Sequence, residues 1–354
     1  MRKFIIKILY FTFIPLAVIF ISYIIIPFKA LTYRPWEALI FINIPSNSSF
    51  YPYSYLDMNS VGDLCHHSKN AITKKECWIT DEIGFRNDKY LKDADILIIG
   101  DSYVAGSSLN QANTVSNQIM NQDSSLKVYN MAPSSISQFD KLLKKGKINK
   151  PKLLIFSIVE RNVPKKIIKY NSNFKEEIIQ KMLFYKSINA KIDGFSKILL
   201  LKWAKARVNG SEGNGISGVN KSKMFFLMGT SQKHQKDDLA NTVNILISYK
   251  KYCDSLGIKF IFMPMPDKET VYYELVPFDE QPDYLNKLDS ILNISGVSTI
   301  NTLKIYNDYR KTNDNLLYHL DDSHWNSNAT EIIALEIIQK ARMQSIILPK
   351  AAQK

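Results

Sequence analysis

Short apolar runs separated by polar, helix-compatible segments dominate the middle of the chain. The apolar runs predict strands at residues 96–99, 127–130, 153–159 and 258–263. The segments between them predict helices at 115–120, 137–145 and 239–256. A last strand is expected within 293–301 and a last helix over 329–344. Strands that alternate with helices indicate βαβ units and an α/β fold with a central parallel sheet.

The N-terminal segment has a different pattern, because no charged residue lies between Ile8 and Phe28. About 20 apolar residues span a bilayer as a helix, so residues 1–28 are predicted to be a transmembrane anchor. The basic residues before it favour a cytoplasmic N-terminus. A cleaved signal peptide is the alternative, although bulky Phe28 stands where cleavage needs a small residue. We therefore expect a single-pass protein of the cytoplasmic (inner) membrane, its catalytic body facing the periplasm or cell exterior.

The rest of the chain divides by composition. Residues 29–79 are irregular and rich in proline and asparagine, which predicts a membrane-proximal lead-in with a few strands. The α/β pattern occupies 80–345. A lysine-rich stretch over 165–235 interrupts this pattern and predicts a helical insertion with a Gly/Ser/Asn-rich loop.

Charge and cysteine content narrow the function classes. The 354-residue chain carries a net charge of +13, which favours anionic partners such as lipid headgroups or an acidic polysaccharide. Nucleic acid is not expected, since no binding motif is present. Cys65 and Cys77 lie close enough in sequence for a disulfide in an oxidising compartment, although three unrelated thiols are the alternative. Their spacing with His66 and His67 fits no standard zinc motif, so no metal is expected.

Gly100-Asp101-Ser102 follows the first strong strand. A serine at the carboxyl end of a central strand lies where α/β sheets bind ligands. A serine hydroxyl needs an adjacent base to become a nucleophile. Ser102 is therefore a candidate nucleophile.

The best candidate base is His324, in Asp321-Asp322-Ser323-His324-Trp325 before the last helix. Histidine can take a serine proton near neutral pH. An acidic residue two or three positions earlier can reach back across a turn to orient the imidazole. Asp321 and Asp322 both meet this requirement, and the spacing leaves the choice open.

These motifs resemble the SGNH (GDSL-type) hydrolase superfamily over residues 80–345. The resemblance implies a three-layer, flavodoxin-like α/β/α domain in which the serine attacks an acyl ester. It also implies an oxyanion hole made by the serine N–H, a second backbone N–H and an asparagine amide. Ser135 stands where glycine is usual, and Asn162 matches the asparagine, with Arg161 as a cationic alternative. Alternatively, Glu160 and Arg161 form an ion pair with each other at the end of the strand and have a structural role only.

The segment from Pro266 through Lys268 to Tyr272 resembles the Pro-x-Lys-x-x-x-Tyr segment of alginate O-acetyltransferase-like proteins. Asp322-Ser323-His324-Trp325 resembles their Asp-x-His-Trp motif. The serine block precedes the histidine block here, whereas it follows it in that branch. The resemblance adds Lys268 as a candidate for oxyanion or substrate binding.

Together the residues and the resemblance predict two-step acyl transfer through Ser102 without a cofactor. The expected enzyme is an O-acetyltransferase that acts on a cell-surface or exported polysaccharide and takes acetyl groups from a multipass membrane acyltransferase. A carbohydrate or lipid esterase is the first alternative. A non-catalytic glycan-binding or assembly protein is the second, motivated by Ser135 in the position of the glycine.

Overall fold

The chain begins with helix α1 (Arg2–Ile25). The computed structural model describes residues 2–25, 50, 52–66, 69–163, 208, 215–219, 222–227, 236–344 and 346. Within these ranges, none of the helices has the length and apolarity needed to cross a membrane. Most of the insertion predicted over 165–235 lies outside the described residues.

The lead-in contains an antiparallel hairpin of β1 (Tyr55–Ser60) and β2 (Lys74–Ile79). Trp78 of β2 is fully buried, and its ring meets that of Phe50 edge to face, with centroids 5.2 Å apart. The hairpin therefore packs into the hydrophobic core that it shares with the α/β body.

A five-stranded parallel sheet forms the centre of the molecule, in the order β4-β3-β5-β8-β9. The strands of this sheet are β3 (Ile96–Gly100), β4 (Val128–Asn130), β5 (Leu153–Val159), β8 (Lys259–Met265) and β9 (Ser298–Thr299). This order is flavodoxin-like, with the chain reversing direction across the sheet between β3 and β5. Ligands of such sheets bind at the carboxyl ends of the strands at that point. A separate antiparallel pair consists of β6 (Gly215–Ser217) and β7 (Phe225–Leu227).

Helices connect the strands and pack against the sheet. They are α2 (Ser102–Ala105), α3 (Val115–Gln122), α4 (Ile136–Lys144), α5 (Lys236–Ser255), α6 (Lys268–Val271), α7 (Tyr284–Ile294), α8 (Thr302–Arg310) and α9 (Ser327–Met343). Helices α3 and α9 pack together beside β4, while α5 and α7 pack beside β8 and β9. The α/β class with a parallel sheet is as predicted.

Two differences from the predicted elements have simple physical causes. Strand β8 continues through Pro264, although the sequence predicted that the strand ends before this proline. Beyond Phe262, β8 pairs only with β5. Proline lacks a backbone N–H, and here that N–H is not needed because the other side of β8 has no neighbouring strand to bond. The strand predicted within 293–301 shrinks to β9, because α7 extends to Ile294.

Gly100 allows a close approach of two strands. A Cβ at this position would lie 1.9 Å from the carbonyl oxygen of Ser157 on β5. Its backbone is not in the left-handed region, so the lack of space for a side chain explains the glycine here. The tight contact brings the ends of β3 and β5 together beneath Ser102.

Candidate active site

Ser102 is the first residue of α2, directly after β3. The preceding Asp101 caps this short helix, because its carboxylate accepts hydrogen bonds from the N–H groups of Tyr103 at 3.0 Å and Val159 at 2.9 Å. Burial raises the pKa of Asp101. The capping aspartate thus ties the serine turn to the end of β5, and Ser102 itself is half-buried.

The structure brings Ser102, His324 and Asp322 into a hydrogen-bonded series. Ser102 Oγ lies 2.9 Å from His324 Nε2, and His324 Nδ1 lies 2.6 Å from Asp322 Oδ1. The His324 backbone N–H also donates to Asp322 Oδ1 at 2.9 Å. This is the geometry of a serine nucleophile, its general base and the acid that orients the base.

The histidine lies on a tight turn over residues 318–325, called the catalytic loop below. A β-bridge between Tyr318 and Trp325 closes it, and α9 begins just beyond. Tyr103 donates its hydroxyl to the Ser323 carbonyl at 2.5 Å, while Trp325 Nε1 donates to the Tyr103 carbonyl at 3.0 Å. These reciprocal bonds hold the serine turn and the catalytic loop together.

Two further residues hold Asp322 through its second carboxylate oxygen. Ser108 donates its hydroxyl to Asp322 Oδ2 at 2.7 Å, and the N–H of Asp63 donates to the same oxygen at 3.1 Å. Asp63 also accepts hydrogen bonds from the N–H and hydroxyl of Ser323 at 2.8 and 2.7 Å. These contacts fix the orientation of the Asp322 carboxylate.

Asp321 has different contacts. Its carboxylate pairs with Lys74 at 2.8 Å and accepts the N–H groups of Gly62 and Ile72 at 2.8 and 2.9 Å. These partners all belong to the lead-in. Of the two acids left open by the sequence, Asp322 is the one in contact with His324, and Asp321 attaches the catalytic loop to the lead-in.

The predicted oxyanion residues lie around the same strand ends. Ser134 N–H donates to the Gly100 carbonyl at 2.8 Å, which places Ser135 beside the serine turn. Ser135 has φ −124° and ψ 172°, an extended conformation open to any residue, and it caps α4. The glycine that is usual in the superfamily is therefore not needed at this position for backbone reasons.

Asn162 is exposed at the end of a 3-10 turn (Glu160–Asn162) that follows β5. Arg161 forms an ion pair with Asp267, whereas the sequence suggested Glu160 as its partner. Glu160 instead accepts the N–H of Asp267 at 3.0 Å, and burial raises the pKa of Glu160 to about 8. Because Asp267 engages Arg161, Asn162 is the better placed of the two for donating to a substrate.

Lys268, predicted to bind the oxyanion or the substrate, is buried, with 1 % of its surface exposed. Its ammonium group donates to the carbonyls of His319 at 2.6 Å, Leu320 at 3.0 Å and Asp322 at 3.0 Å. All three donors of the ammonium are thereby used by the catalytic loop. Its position under the loop explains why it does not reach the open side of the site.

Within the described ranges, the other groups considered from the sequence form no second centre of this kind. Burial lowers the pKa of His319 to about 4, which makes it a poor base near neutral pH. Cys65, Cys77 and Cys253 are free thiols, so the disulfide considered from the sequence is not formed. Asp63, Asp322 and His324 place potential metal-ligand atoms within 4.8 Å of one another, and their hydrogen bonds to each other and to Ser323 account for that proximity.

Sequence reasoning missed Ser108 and Asp63. Their contacts with Asp322 span 214 and 259 residues, and neither residue lies in a recognised motif. Ser108 carried no local signal, although its backbone adopts φ 65°, which is uncommon outside glycine. Long-range contacts of this kind follow from the fold and leave no trace in local spacing.

The parallel sheet and the Ser102–His324–Asp322 arrangement define a serine-dependent acyl-ester enzyme of the α/β class. Residues 223–354 match the family described as "SGNH hydrolase-like domain, acetyltransferase AlgX". The match confirms the resemblance that the motifs predicted, both to the SGNH superfamily and to its acetyltransferase branch. It includes Lys268 and the catalytic loop, and Ser102 precedes the matched range.

No curated protein matches the chain in sequence. Solved structures that resemble it include a protein described as an acylhydrolase from Bacteroides fragilis, with 10% identity, 71% of this chain and 88% of that one covered, and a TM-score of 0.35. An acetyl xylan esterase from the rumen bacterium Butyrivibrio proteoclasticus has 8% identity, 77% and 67% coverage, and a TM-score of 0.32. These likenesses are weak.

Proposed function

We propose that this protein is a membrane-anchored, extracytoplasmic O-acetyltransferase that acts on a cell-surface or exported polysaccharide. The observation that carries the acyl chemistry is the contact of Ser102 Oγ with His324 Nε2 at 2.9 Å, with Asp322 behind the imidazole. The acetyl group and the branch of the family are supported by the match of residues 223–354 to the acetyltransferase description.

The reaction has two balanced halves. His324 Nε2 takes the Ser102 proton as Oγ bonds to the ester carbonyl carbon, and the tetrahedral intermediate collapses when its alcohol leaves with that proton. A sugar hydroxyl then gives its proton to His324 and attacks the acyl-serine, and the second tetrahedral intermediate collapses as His324 returns that proton to Ser102 Oγ, which releases the acetylated sugar. The N–H groups of Ser102 and Ser135 and the Asn162 amide would stabilise the oxyanion in both halves.

Three features support the location and the partners. The stretch from Ile8 to Phe28 has no charge, and α1 leaves large apolar side chains such as Phe11 and Phe13 exposed. The net charge of +13 favours an anionic glycan or membrane surface. A multipass membrane acyltransferase would supply the acetyl groups on the extracytoplasmic side.

The experiment uses the full chain purified in detergent, with p-nitrophenyl acetate as donor. Acetyl groups found by mass spectrometry on an added acidic oligosaccharide support the transferase, whereas release to water alone supports an esterase. Ser102→Ala is expected to abolish either activity. Turnover by Ser102→Ala at the rate of the unsubstituted protein, or no turnover by the unsubstituted protein with any acyl ester, would contradict the proposal.

A further inference from the structure

Lys268 is a buried cation under the catalytic loop with no carboxylate as a direct partner among the described residues. Its side chain lies between the Phe226 ring, 5.4 Å from the ammonium nitrogen, and the three loop carbonyls that it contacts. An ammonium group that leaves water loses several kcal/mol of solvation. Such a group is retained only where its charge or its donors serve the surrounding structure.

Carboxylates from three parts of the chain lie near Lys268. Asp63 of the lead-in, Asp321 and Asp322 of the catalytic loop, and Glu269 of α6 all act on it electrostatically. Lys74 is a second cation that contacts this group, and it pairs with Asp321 at 2.8 Å. Lys268 acts electrostatically on the other carboxylates, including Asp322, which orients His324.

The segment around Lys268 makes two more contacts, one with the catalytic loop and one with Leu317, the residue just before it. The Tyr318 hydroxyl donates to the Pro266 carbonyl at 2.5 Å, and the Tyr272 hydroxyl accepts the Leu317 N–H at 2.9 Å. The Pro-x-Lys-x-x-x-Tyr segment thus contacts the loop along its length, and Lys268 supplies the charged contact in the middle.

We infer that Lys268 is a positioning residue for the acyl-transfer site: its ammonium fixes the loop carbonyls and balances the carboxylates that keep His324 ready to accept the Ser102 proton. The inference rests on the proposed function, because it assumes that Ser102 reacts. It assigns Lys268 no contact with the substrate.

Because the Lys268 ammonium group can lose its proton, the reactivity of Ser102 should depend on pH. Burial lowers the pKa of Lys268 to about 8, against the attraction of the neighbouring carboxylates. Above that pH the amine loses its charge and one of its three donors, so the reactivity of Ser102 should fall.

The test follows the rate at which an alkyl fluorophosphonate labels Ser102 in the full chain, measured by mass spectrometry from pH 5 to 10. This readout needs no knowledge of the natural substrate. We expect the unsubstituted protein to lose reactivity above pH 8. Lys268→Met should label about 10- to 100-fold more slowly at pH 7, while Lys268→Arg should restore part of the rate and lack the fall near pH 8.

Lys259→Met removes an exposed lysine at the start of β8 and serves as the matched control. Equal rates and profiles for Lys268→Met and the control would overturn the inference. If the Lys268 variants do not fold, a profile of the unsubstituted protein that stays flat from pH 7 to 10 overturns it equally. Absence of labelling at Ser102 in the unsubstituted protein would instead contradict the proposed function itself.

Discussion

The two halves of the active site differ in how completely they are built. His324 and Asp322 are 2 % and 0 % exposed, and hydrogen bonds from the serine turn, Ser108 and Asp63 hold the loop that carries them. On the proposed oxyanion side, Ser135 is only half-buried and Asn162 is exposed. Proton transfer is therefore preorganised in the protein alone, whereas the oxyanion side is open to solvent until a substrate covers it.

The half of the site that contains His324 and Asp322 is best tested by comparing Asp322 with its neighbour Asp321, because the two carboxylates have different contacts. Asp322→Asn should lower kcat by about 10⁴-fold, because an amide favours the wrong imidazole tautomer and loses the charge that stabilises the imidazolium. Hydrolysis of p-nitrophenyl acetate and the Tm of each variant provide the measurements.

Asp321→Asn is the matched control within the same dipeptide. It should lower the Tm, since Lys74 is only 11 % exposed and would lose its partner, while kcat changes by only a few-fold. If Asp321→Asn impaired kcat as severely as Asp322→Asn, the division of roles between the two acids would be wrong.

The open half depends on Asn162. If its amide donates to the oxyanion, Asn162→Ala should lower kcat by about 10²- to 10³-fold with little change in Tm, because the side chain is exposed and its donation is made only in the transition state. Asn121→Ala, on the exposed end of α3, should leave both quantities unchanged. An unaltered kcat for Asn162→Ala would remove this residue from the oxyanion side and leave the role to Arg161.

The sequence predicted this site unevenly, for reasons that particular residues make clear. Strands β3 and β5 are buried runs of apolar residues, so the positions of Ser102 and Asn162 at their ends followed from local pattern. Asp321 and Asp322 were indistinguishable because both can reach His324 across one turn. The structure separates them through partners more than 240 residues away, such as Lys74 and Asp63, which no local spacing records.

Helices α7 and α8 were missed for another reason. In α7 the buried residues Tyr284, Leu285, Leu288 and Leu292 do follow a helical period. A strand was expected within 293–301 instead, and only Ser298 and Thr299 of that range form one.

A weaker effect within the preorganised half is expected at Ser108. Ser108→Ala removes one hydrogen bond to the Asp322 carboxylate, and such a bond to a charged group contributes about 1.5–3 kcal/mol. Only part of the energy of this hydrogen bond is expected to stabilise the transition state relative to the bound substrate. We therefore expect kcat to fall about 10-fold while KM stays within two-fold. Ser108→Gly, which also relieves the left-handed backbone at φ 65°, should show the same kcat and a higher Tm than Ser108→Ala. A kcat unchanged in both would mean that Asp322 needs only its remaining contacts.

The smallest effect is expected at Ser135, where the superfamily resemblance implied glycine. The backbone there is extended, and the side chain accepts the Gln138 N–H only at 3.4 Å. Ser135→Gly should therefore change kcat by less than about two-fold and destabilise the protein by a few tenths of a kcal/mol, the usual cost of such a replacement at a helix N-cap. A large gain in kcat would show that the serine distorts the oxyanion side, and that this half is impaired rather than merely open. A kcat near that of the unsubstituted protein would show that the backbone N–H at position 135 is a sufficient donor. The exposed half of the site would then differ from the other half only in its burial.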